Sequence, residues 1–386
     1  MSEVLLAAGD ASGDAHAAEL VAALRARLPD VRCFGLGGSA MERAGVEILV
    51  PQRELAIGGL VEVLGSLSRV FSAWRRLERA ARERRPSLVI LVDSPEFNLP
   101  LARRLRRCGA PILYYIAPQV WAWRTGRVRK IARRVDRVAV IFPFEVPLFA
   151  AAGVRVDFVG HPGVERLREL RARLDRAGAR AELGLEPARP LVALLPGSRH
   201  NEVRRGTPLQ LAAARCLRAL APQVAFALAL APTVRAADVA PALSAAAGAG
   251  GPPVRIVEGR THELLLAADV ALAKPGTATL EAALLGCPIV ACGRANPLTA
   301  LVIRRMIHVA SWTMPNLIAG APVVPEFLQE AAVPERIAAA IAELLAGPAR
   351  ALQLARLEAV ARRLGPGGAA ARAASVAEEM MRGRVA

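Results

Sequence analysis

Residues 4–20, VLLAAGDASGDAHAAEL, determine the fold prediction. An apolar run at residues 4–8 is followed by a polar loop at residues 9–14 and by a helical pattern that continues to residue 28. The second half of the chain repeats this design with LVALLPGSR at residues 191–199, where an apolar run again ends in a glycine-containing loop. Apolar strands that alternate with helices are typical of a parallel sheet covered on both faces, so the sequence predicts an α/β protein.

Further apolar runs of strand length continue this alternation along both halves of the chain. They lie at residues 31–36, 88–92, 112–116, 138–142, 224–230, 254–257, 270–273 and 289–291. A length of 386 residues suggests two domains. We expect two doubly wound, Rossmann-like domains, residues 1–168 and 169–365, that face each other across a ligand cleft. The charged stretch at residues 165–188 is the expected hinge, and the helix at residues 366–386 is a candidate to pack back on the first domain.

The composition, with 54% hydrophobic and 22% charged residues, excludes a disordered chain. The net charge of +17 comes almost entirely from arginine and favours anionic partners. The five cysteines form no C-x-x-C pair and the five histidines lie far apart, so we expect neither a disulfide framework nor a metal site. The N-terminal apolar run has no basic flank, and two prolines interrupt the longest uncharged stretch, residues 306–325. We therefore expect a soluble, cytoplasmic protein.

Two loops in the second half are candidates for binding phosphate. Residues 196–199 place a glycine and Arg199 directly after an apolar strand, and the planar guanidinium of arginine suits phosphate. Residues 275–281 open a helix, whose unpaired N–H groups and dipole favour a diphosphate, and Glu281 is placed to accept hydrogen bonds from a ribose diol. A plain turn with a surface arginine, or a carboxylate that stabilises the helix dipole, explains either loop alone. The two loops together favour a phosphate site.

Asp93 directly follows the apolar run at residues 88–92 in the first half. A carboxylate at the carboxyl end of a strand points toward the ligand side of such a sheet, where it could act as a general base. Capping of the next helix is an equally good interpretation of the spacing, and Glu96 is a rival base. Asp10, Ser12 and Asp14 in the first loop offer further polar groups, with turn formation and helix capping as their alternatives.

A stripe of apolar residues at helical spacing suggests contact with lipid. Its members are Val63, Leu64, Leu67, Val70, Phe71 and Trp74. Arginines follow the stripe, as in interfacial helices, although core packing is the more common reason for such a pattern. Trp121 and Trp123 lie beside clustered cations, which suits a bilayer surface, a polyanion or simply a solvated helix face.

Eight motifs occur in the order typical of one enzyme family. They are AGDASGD at 8–14, VDSPEFN at 92–98, IAPQVWAWR at 116–124, FPFE at 142–145, VGHP at 159–162, LLPGSR at 194–199, GTATLE at 276–281 and MPNL at 314–317. On these motifs the chain closely resembles the lipid-A-disaccharide synthases, which are glycosyltransferases of the GT-B fold. The tryptophan-containing motif is the most specific of the eight.

The resemblance implies transfer of a diacylated glucosamine from UDP-2,3-diacylglucosamine to the primary hydroxyl of 2,3-diacylglucosamine 1-phosphate, with inversion at the anomeric carbon. By position, it implies that Asp93 is the base, that Arg199 binds the donor diphosphate, and that Glu281 and Asn316 belong to the donor site. The further substrate-binding residues in these motifs are Ser12, Gly13, Asp14, Asn98, Gly197, Ser198, Gly276 and Thr277. The chain departs from the family at Lys274, where a charge could replace a hydroxyl contact.

Inverting transfer needs a base and a stabilised leaving diphosphate. The sequence has no D-x-D carboxylate pair, so we expect arginine and helix N-termini, rather than a metal or a cofactor, to stabilise the diphosphate. The expected partners are the two acylated substrates and the anionic inner leaflet of the membrane, bound peripherally, with no nucleic acid. A homodimer is one alternative for the oligomeric state. The competing functions are another UDP-sugar enzyme of this fold, such as a 2-epimerase or a peptidoglycan-type transferase, and a nucleic-acid-binding protein, which the scarce aromatic residues disfavour.

Overall fold

The computed structural model describes residues 2–55, 63–118, 126–296 and 311–383. The chain divides into two compact units, which we call unit 1 (Met1–Pro162 with Gly365–Ala386) and unit 2 (Gly163–Leu364). The chain therefore passes between the units twice. The assignment of acceptor and donor to the two units stays a prediction.

The elements are numbered along the described residues. The strands are β1 (Glu3–Ala8), β2 (Arg32–Gly37), β3 (Glu47–Pro51), β4 (Leu88–Val92), β5 (Ile112–Tyr115), β6 (Arg137–Val140), β7 (Arg155–Phe158), β8 (Leu191–Leu195), β9 (Ala225–Leu230), β10 (Val254–Glu258), β11 (Val270–Ala273), β12 (Ile289–Gly293) and β13 (Glu326–Leu328). The helices are α1 (Ala11–Arg27), α2 (Ser39–Arg43), α3 (Val63–Arg84), α4 (Pro95–Leu105), α5 (Gly126–Ala132), α6 (Glu145–Ala150), α7 (Gly163–Arg173), α8 (Arg176–Glu182), α9 (His200–Leu220), α10 (Ala240–Gly248), α11 (Thr261–Ala267), α12 (Thr277–Leu285), α13 (Met314–Ala319), α14 (Pro334–Leu345), α15 (Pro348–Arg363) and α16 (Ala369–Arg382).

Unit 1 contains a seven-stranded parallel sheet with the order β3-β2-β1-β4-β5-β6-β7. The chain builds outward from β1 in one direction and then crosses over to β4 to build in the other. Unit 2 repeats this plan in six parallel strands with the order β10-β9-β8-β11-β12-β13. Such sheets bind ligands at the carboxyl ends of the two strands where the order reverses, the switch point. The switch points are β1/β4 in unit 1 and β8/β11 in unit 2, and the predicted doubly wound α/β fold is confirmed.

The core of each unit consists of its central strands and the helices that cover both faces. In unit 1, Leu5, Val89 and Tyr114 are fully buried, and in unit 2 Val192 and Leu272 are equally buried. Burial on both faces explains why the central strands are continuous apolar runs rather than alternating ones.

The charged stretch at residues 165–188 contains two helices of unit 2, α7 and α8, instead of a hinge. Arg180 of α8 is 5% exposed and donates hydrogen bonds to Ala267 O at 3.0 Å and to Asp269 Oδ2 at 2.7 Å. A buried arginine needs such partners, and they fasten α8 to the body of unit 2. Arginine density alone was a poor indicator of a linker.

The C-terminal helix α16 belongs to unit 1, where it packs against α1. Glu379 accepts hydrogen bonds from Arg137 Nη1 at 2.8 Å and from Arg155 Nη2 at 2.6 Å, and Arg27 Nε donates to Glu378 at 2.6 Å. Arg137 is only 5% exposed, whereas the Glu379 side chain is 54% exposed, so α16 covers a buried arginine from the solvent side. The first unit is thus completed by residues from the far end of the chain.

None of the helices in the described ranges has, by itself, both the length and the apolar character needed to span a membrane. Pro334–Leu345 and Pro348–Arg363 reach that threshold only when they are taken together, across a bend of 84°.

Candidate active site

The switch point of unit 1 brings together the two polar loops that the sequence analysis singled out. Ala8, the last residue of β1, pairs with Val92, the last residue of β4, so the loops that follow these strands are neighbours. Ser94 Oγ donates a hydrogen bond to Asp10 Oδ2 at 2.5 Å. A Cβ at Gly9 would lie 2.9 Å from Ser94 Oγ, so the glycine is what allows the loops to approach this closely.

Asp93 is held in a backbone conformation that residues other than glycine rarely adopt. Its φ is +46°, and Ser94 follows with φ +44°. The carbonyl of Asp93 accepts a hydrogen bond from Tyr114 Oη at 2.6 Å and another from Asn98 Nδ2 at 2.9 Å. Strained conformations of this kind cost about 1–3 kcal/mol and occur preferentially at functional sites. Two buried side chains therefore fix the position of the proposed base.

The pKa of the half-buried Asp93 carboxyl is raised, first because burial penalises its charged form and then because Asp10 repels it. The Ser94 backbone N–H and His16 act in the opposite direction and only partly offset the rise. A raised pKa makes Asp93 a stronger proton acceptor than an ordinary aspartate, although it also stays protonated to a higher pH. Glu96 offers a contrast, because its side chain is 77% exposed and pairs with Arg127 Nη2 at 2.8 Å.

Both carboxylate oxygens of Asp14 and the side-chain nitrogen of Asn98, two residues predicted to bind substrate, are engaged within the fold. Asp14 is 3% exposed and accepts hydrogen bonds from the backbone N–H groups of Gly38, Ala40 and Met41 at 2.6, 2.9 and 3.2 Å, so it caps α2. Asn98 is fully buried, and its Nδ2 donates to carbonyls at the ends of β1 and β4. These contacts favour the capping alternative for Asp14 and a positioning role for Asn98.

The remaining first-loop residues lie at the N-terminus of α1. The buried Gly13 donates its N–H to Asp10 Oδ1 at 2.8 Å, which makes Asp10 the cap of this helix. Ser12 is exposed beside it. Asp10 and Ser12 therefore offer polar groups to a ligand, whereas Gly13 serves the turn.

The first phosphate-loop candidate of unit 2 is arranged around Glu202. Its Oε2 accepts hydrogen bonds from the N–H groups of Ser198 at 3.2 Å and Arg199 at 3.4 Å. Gly197 has φ +137°, and a Cβ there would lie 2.6 Å from Glu202 Cβ, so only glycine fits. Because the backbone donors of this loop face Glu202, the group that the loop offers to a ligand is the Arg199 side chain, which is 84% exposed.

Glu202 also holds two cations at the switch point of unit 2. Arg199 Nη1 lies 3.5 Å and Lys274 Nζ 3.2 Å from Glu202 Oε1. Burial alone would raise the pKa of Glu202, but Lys274, the Ser198 N–H and Arg199 together lower it below its ordinary value. The site thus contains an ionised carboxylate between two cations that are placed to bind an anion.

The second phosphate-loop candidate opens α12. Gly276 precedes the helix with φ +157° and open space on the side where a Cβ would lie, and both Gly276 and Thr277 are exposed. Thr279 Oγ1 donates to Gly276 O at 2.7 Å and secures the turn. The first N–H groups of a helix have no intrahelical acceptor, so this end of α12 is suited to a phosphate.

Glu281 and Asn316, the predicted donor-site residues, differ in how accessible their side chains are to a ligand. Glu281 is partly exposed, with His262 Nε2 at 3.2 Å and Arg166 Nη2 at 3.8 Å. Asn316 is 3% exposed; its Oδ1 accepts from two backbone N–H groups at 2.7 Å, and its Nδ2 donates to Val324 O and to Glu326 Oε1 at 2.9 Å. The contacts of Asn316 indicate that it shapes its loop.

Tyr114, Gln210 and His262 are site residues that the sequence analysis did not identify. Gln210 is 1% exposed, and its Nε2 donates to Leu195 O at 3.2 Å and to Leu272 O at 3.0 Å. It therefore joins β8 to β11, as Asn98 joins β1 to β4. Of these three residues, only Tyr114 could have been identified from the sequence, because a hydroxyl inside an otherwise apolar strand requires a hydrogen-bond partner.

The predicted lipid-facing stripe is described only in part. Val70 and Trp74 pack against the core of unit 1, and Trp74 Nε1 donates to Phe97 O at 3.2 Å, as the core alternative requires. Phe71, in contrast, is 45% exposed. The side chains of Val63, Leu64 and Leu67, and the whole of Trp121 and Trp123, lie outside the described residues.

Metal binding was tested on the part of the chain that the structure describes. There, no three His, Cys, Asp or Glu side chains lie close enough together to hold a metal ion. A site without metal or cofactor stays a prediction.

Comparison with known proteins gives matches over nearly the whole chain. A family model described as lipid-A-disaccharide synthetase matches residues 4–377. The lipid-A-disaccharide synthase of Myxococcus xanthus is 45% identical over 385 residues, which covers 99% of this chain and 98% of that protein. The lipid-A-disaccharide synthase of Geobacter metallireducens is 43% identical over 379 residues, with 98% and 97% covered.

Similar solved structures share the fold at low sequence identity. A putative UDP-N-acetylglucosamine 2-epimerase from Listeria monocytogenes gives a TM-score of 0.70 at 13% identity, covering 99% of this chain and 97% of that one. CalG4, the calicheamicin glycosyltransferase, gives a TM-score of 0.60 at 17% identity, covering 100% and 99%. At this identity the likeness concerns the fold alone.

Proposed function

The chain belongs to the lipid-A-disaccharide synthase family and is a glycosyltransferase of lipid A biosynthesis, and on that premise we propose its substrates and the roles of its residues. The donor is UDP-2,3-diacylglucosamine, the acceptor is 2,3-diacylglucosamine 1-phosphate, and the products are the disaccharide 1-phosphate and UDP. Transfer proceeds with inversion at the anomeric carbon.

The opposite charges at the two switch points are the observation that carries this proposal. Unit 1 places Asp10 and Asp93 at the ends of β1 and β4, whereas unit 2 places Arg199 and Lys274 at the ends of β8 and β11. A hydroxyl acceptor needs a proton acceptor, and a leaving diphosphate needs positive charge. Each unit therefore supplies one half of an inverting transfer.

In the proposed reaction, Asp93 removes the proton of the acceptor's primary hydroxyl as that oxygen attacks the anomeric carbon of the donor. The bond from this carbon to the diphosphate oxygen breaks, and its electron pair leaves with UDP. Tyr114 and Asn98 act through the Asp93 carbonyl by holding the carboxyl in place. The raised pKa of Asp93 increases its affinity for the proton that it accepts.

On the donor side, we assign the diphosphate to Arg199, Lys274 and the N-terminus of α12. Glu202 contacts both cations, so it keeps them oriented and neutralised until the diphosphate arrives. The incoming phosphate oxygens then replace Glu202 as partners of the two cations, and the charge on the departing UDP meets positions that are already set. Glu281 is the proposed partner of the ribose.

Acylated substrates reside in a membrane, so peripheral attachment to the anionic inner leaflet accompanies this proposal. The exposed ring of Phe71 and the exposed arginines Arg75 and Arg79 on α3 support it, because interfacial helices combine apolar and cationic groups.

The decisive experiment incubates the protein with the two acylated substrates in detergent and detects the disaccharide 1-phosphate by mass spectrometry. UDP release with acylated and unacylated donors is measured in parallel. Arg199→Gln is expected to reduce turnover by roughly 10²–10³-fold, as loss of one transition-state contact does. Arg218→Gln, an equal change of charge at an exposed position of α9, is the control and is expected to have no effect. Turnover or epimerisation of unacylated UDP-N-acetylglucosamine without disaccharide would refute the substrate assignment.

A further inference from the structure

We propose that a pocket on unit 1, formed by α3, α4 and the segment after α5, binds a phosphate group. The pocket has a volume of about 410 Å³. It is lined by Trp74, Pro100, Arg103, Arg104, Arg107 and Arg134. Among the residues that the structure describes, the lining contains four guanidinium groups and no carboxylate. We call it the arginine pocket.

Two of the four guanidinium groups are fixed before any ligand binds. Arg104 lies over the ring of Trp74, 5.4 Å from its centroid, with Nη1 3.3 Å from Glu78 Oε2. Arg134 Nη1 donates a hydrogen bond to Leu99 O at 3.0 Å. Cations that are already oriented lose little conformational freedom on binding, so the site is preorganised for an anion.

The charge of the arginine pocket is poorly compensated. Glu78 is shared between Arg104 and Arg82, so it offsets only part of one charge in the pocket. A second pocket, of about 300 Å³ on unit 2, contains Arg176 and Arg350, but there Asp269 pairs with Arg176 through its carboxylate and accepts from Arg350 through its carbonyl at 2.7 Å. Like charges around one cavity repel each other, and an anion relieves that repulsion.

The chemistry of the lining selects phosphate among anions. Arginine forks match two phosphate oxygens at once, which makes clustered arginines strong phosphate ligands. The indole of Trp74 and the ring of Pro100 add an apolar wall, suited to the carbon skeleton that carries the phosphate. The ligand class is therefore a phosphate mono- or diester, either free or as a lipid headgroup.

Arg103, Arg104 and Arg107 place the cationic end of the pocket away from the proposed catalytic site. Arg104 lies nine residues beyond Pro95 on α4, which corresponds to about 14 Å along the helix axis, and α4 starts immediately after the loop of Asp93. The phosphate of an acceptor bound at Asp93 lies across a single sugar ring from the reacting hydroxyl, which is too short a span to reach Arg104. The phosphate bound in the arginine pocket is thus a second one, and its binding does not depend on the proposed transfer reaction.

Binding is tested at low ionic strength in two arms. One arm is titration with inorganic phosphate by calorimetry, and the other is sedimentation with vesicles of phosphatidylcholine with and without phosphatidylglycerol. The variant Arg103→Gln/Arg107→Gln changes two exposed arginines of the pocket, and Arg218→Gln/Arg356→Gln makes the same change of charge at exposed positions of unit 2. We expect the pocket variant to weaken binding at least about tenfold and the control to weaken it by less than about twofold.

The two arms distinguish a soluble phosphate from a lipid headgroup as the ligand. Pocket-dependent binding of inorganic phosphate alone supports a soluble phosphate ligand, and pocket-dependent binding of phosphatidylglycerol vesicles supports a headgroup. Equal affinities of the pocket and control variants in both arms, or no binding by the parent protein in either, overturn the inference. Arg103→Lys/Arg107→Lys keeps the charge but loses the forks, so its affinity should be intermediate. It also replaces the glutamine variant if thermal melting shows that variant to be unfolded.

Discussion

The switch points of the two units have the same strand arrangement but carry opposite charges. In unit 1, Asp10 and Asp93 lie close enough for repulsion to raise the pKa of Asp93, beyond the effect of its burial. In unit 2, Arg199 and Lys274 lie on either side of Glu202, which stays ionised. The same strand arrangement thus places the proposed base in one unit and two cations in the other.

The two switch points also share a buried side-chain amide. Asn98 Nδ2 donates to carbonyls at the ends of β1 and β4, and Gln210 Nε2 does the same for β8 and β11. Each amide joins the ends of the two strands at which the strand order of its sheet reverses. The paired strands and the buried amide thus determine where the loops start. The charge of each switch point is determined by the first residues after the strands.

The largest expected effect is that of Asp93→Asn, which removes the proposed base and leaves unit 2 unchanged. We expect turnover to fall by about 10²–10⁴-fold, the usual contribution of general base catalysis, with UDP affinity unchanged. The measurements are the rate of UDP release and calorimetric titration with UDP. Retention of near-normal turnover would show that another group accepts the proton.

Two controls separate this effect from misfolding. Because the folded-state pKa of Asp93 is raised, ionising it costs stability as pH rises through that pKa, so the neutral asparagine should melt at neutral pH no earlier than the parent protein. Glu96→Gln changes an exposed carboxylate three residues away, the rival base, and should leave turnover within about twofold if Asp93 is the base.

Substitution of either buried amide should have a smaller effect than Asp93→Asn. Asn98→Leu and Gln210→Leu each remove a side-chain donor that bonds buried carbonyls at the ends of two strands, and each should cost about 1–3 kcal/mol of unfolding free energy. Their functional effects should differ: Asn98→Leu should lower kcat through Asp93, whereas Gln210→Leu should weaken UDP binding through the phosphate loops. Equal reductions of kcat and UDP affinity by both variants would contradict separate positioning roles.

The smallest expected effect concerns pH. Since repulsion by Asp10 helps to raise the pKa of Asp93, activity should fall as pH drops through that raised pKa, and Asp10→Asn should move this acid limb to lower pH by less than about one unit. Asparagine still caps α1, so the helix start is preserved. The kcat–pH profiles of the two proteins test the shift; an unmoved or upward-moved limb would exclude the electrostatic coupling.

The central strands were predictable from sequence because they are buried on both faces. Residues 88–92, 191–195 and 270–273 form strands with the predicted bounds. The edge strands β3 and β13 were missed, since they are only half-buried and begin with Glu47 and Glu326, which interrupt an apolar pattern.

The locations of the candidate site residues were predictable only where a residue directly follows a central strand. Asp93 and Arg199 follow central strands, and the structure places both at switch points. Asp14 and Asn316 also stand in characteristic motifs, but a carboxylate or amide gives the same sequence signal whether it meets a ligand or the backbone. The contact of His262 with Glu281 depends on how α11 packs beside α12, which no local pattern records.

The return of α16 to the first unit has a consequence for how this polypeptide matures. Unit 2 is one uninterrupted segment, whereas unit 1 combines an N-terminal segment with a C-terminal one. Unit 1 starts the chain, but only the residues synthesised last supply α16, which covers α1 and adds Glu379 to Asp157 as a partner of the buried Arg137. The part of the enzyme that is translated first is therefore the part that is finished last.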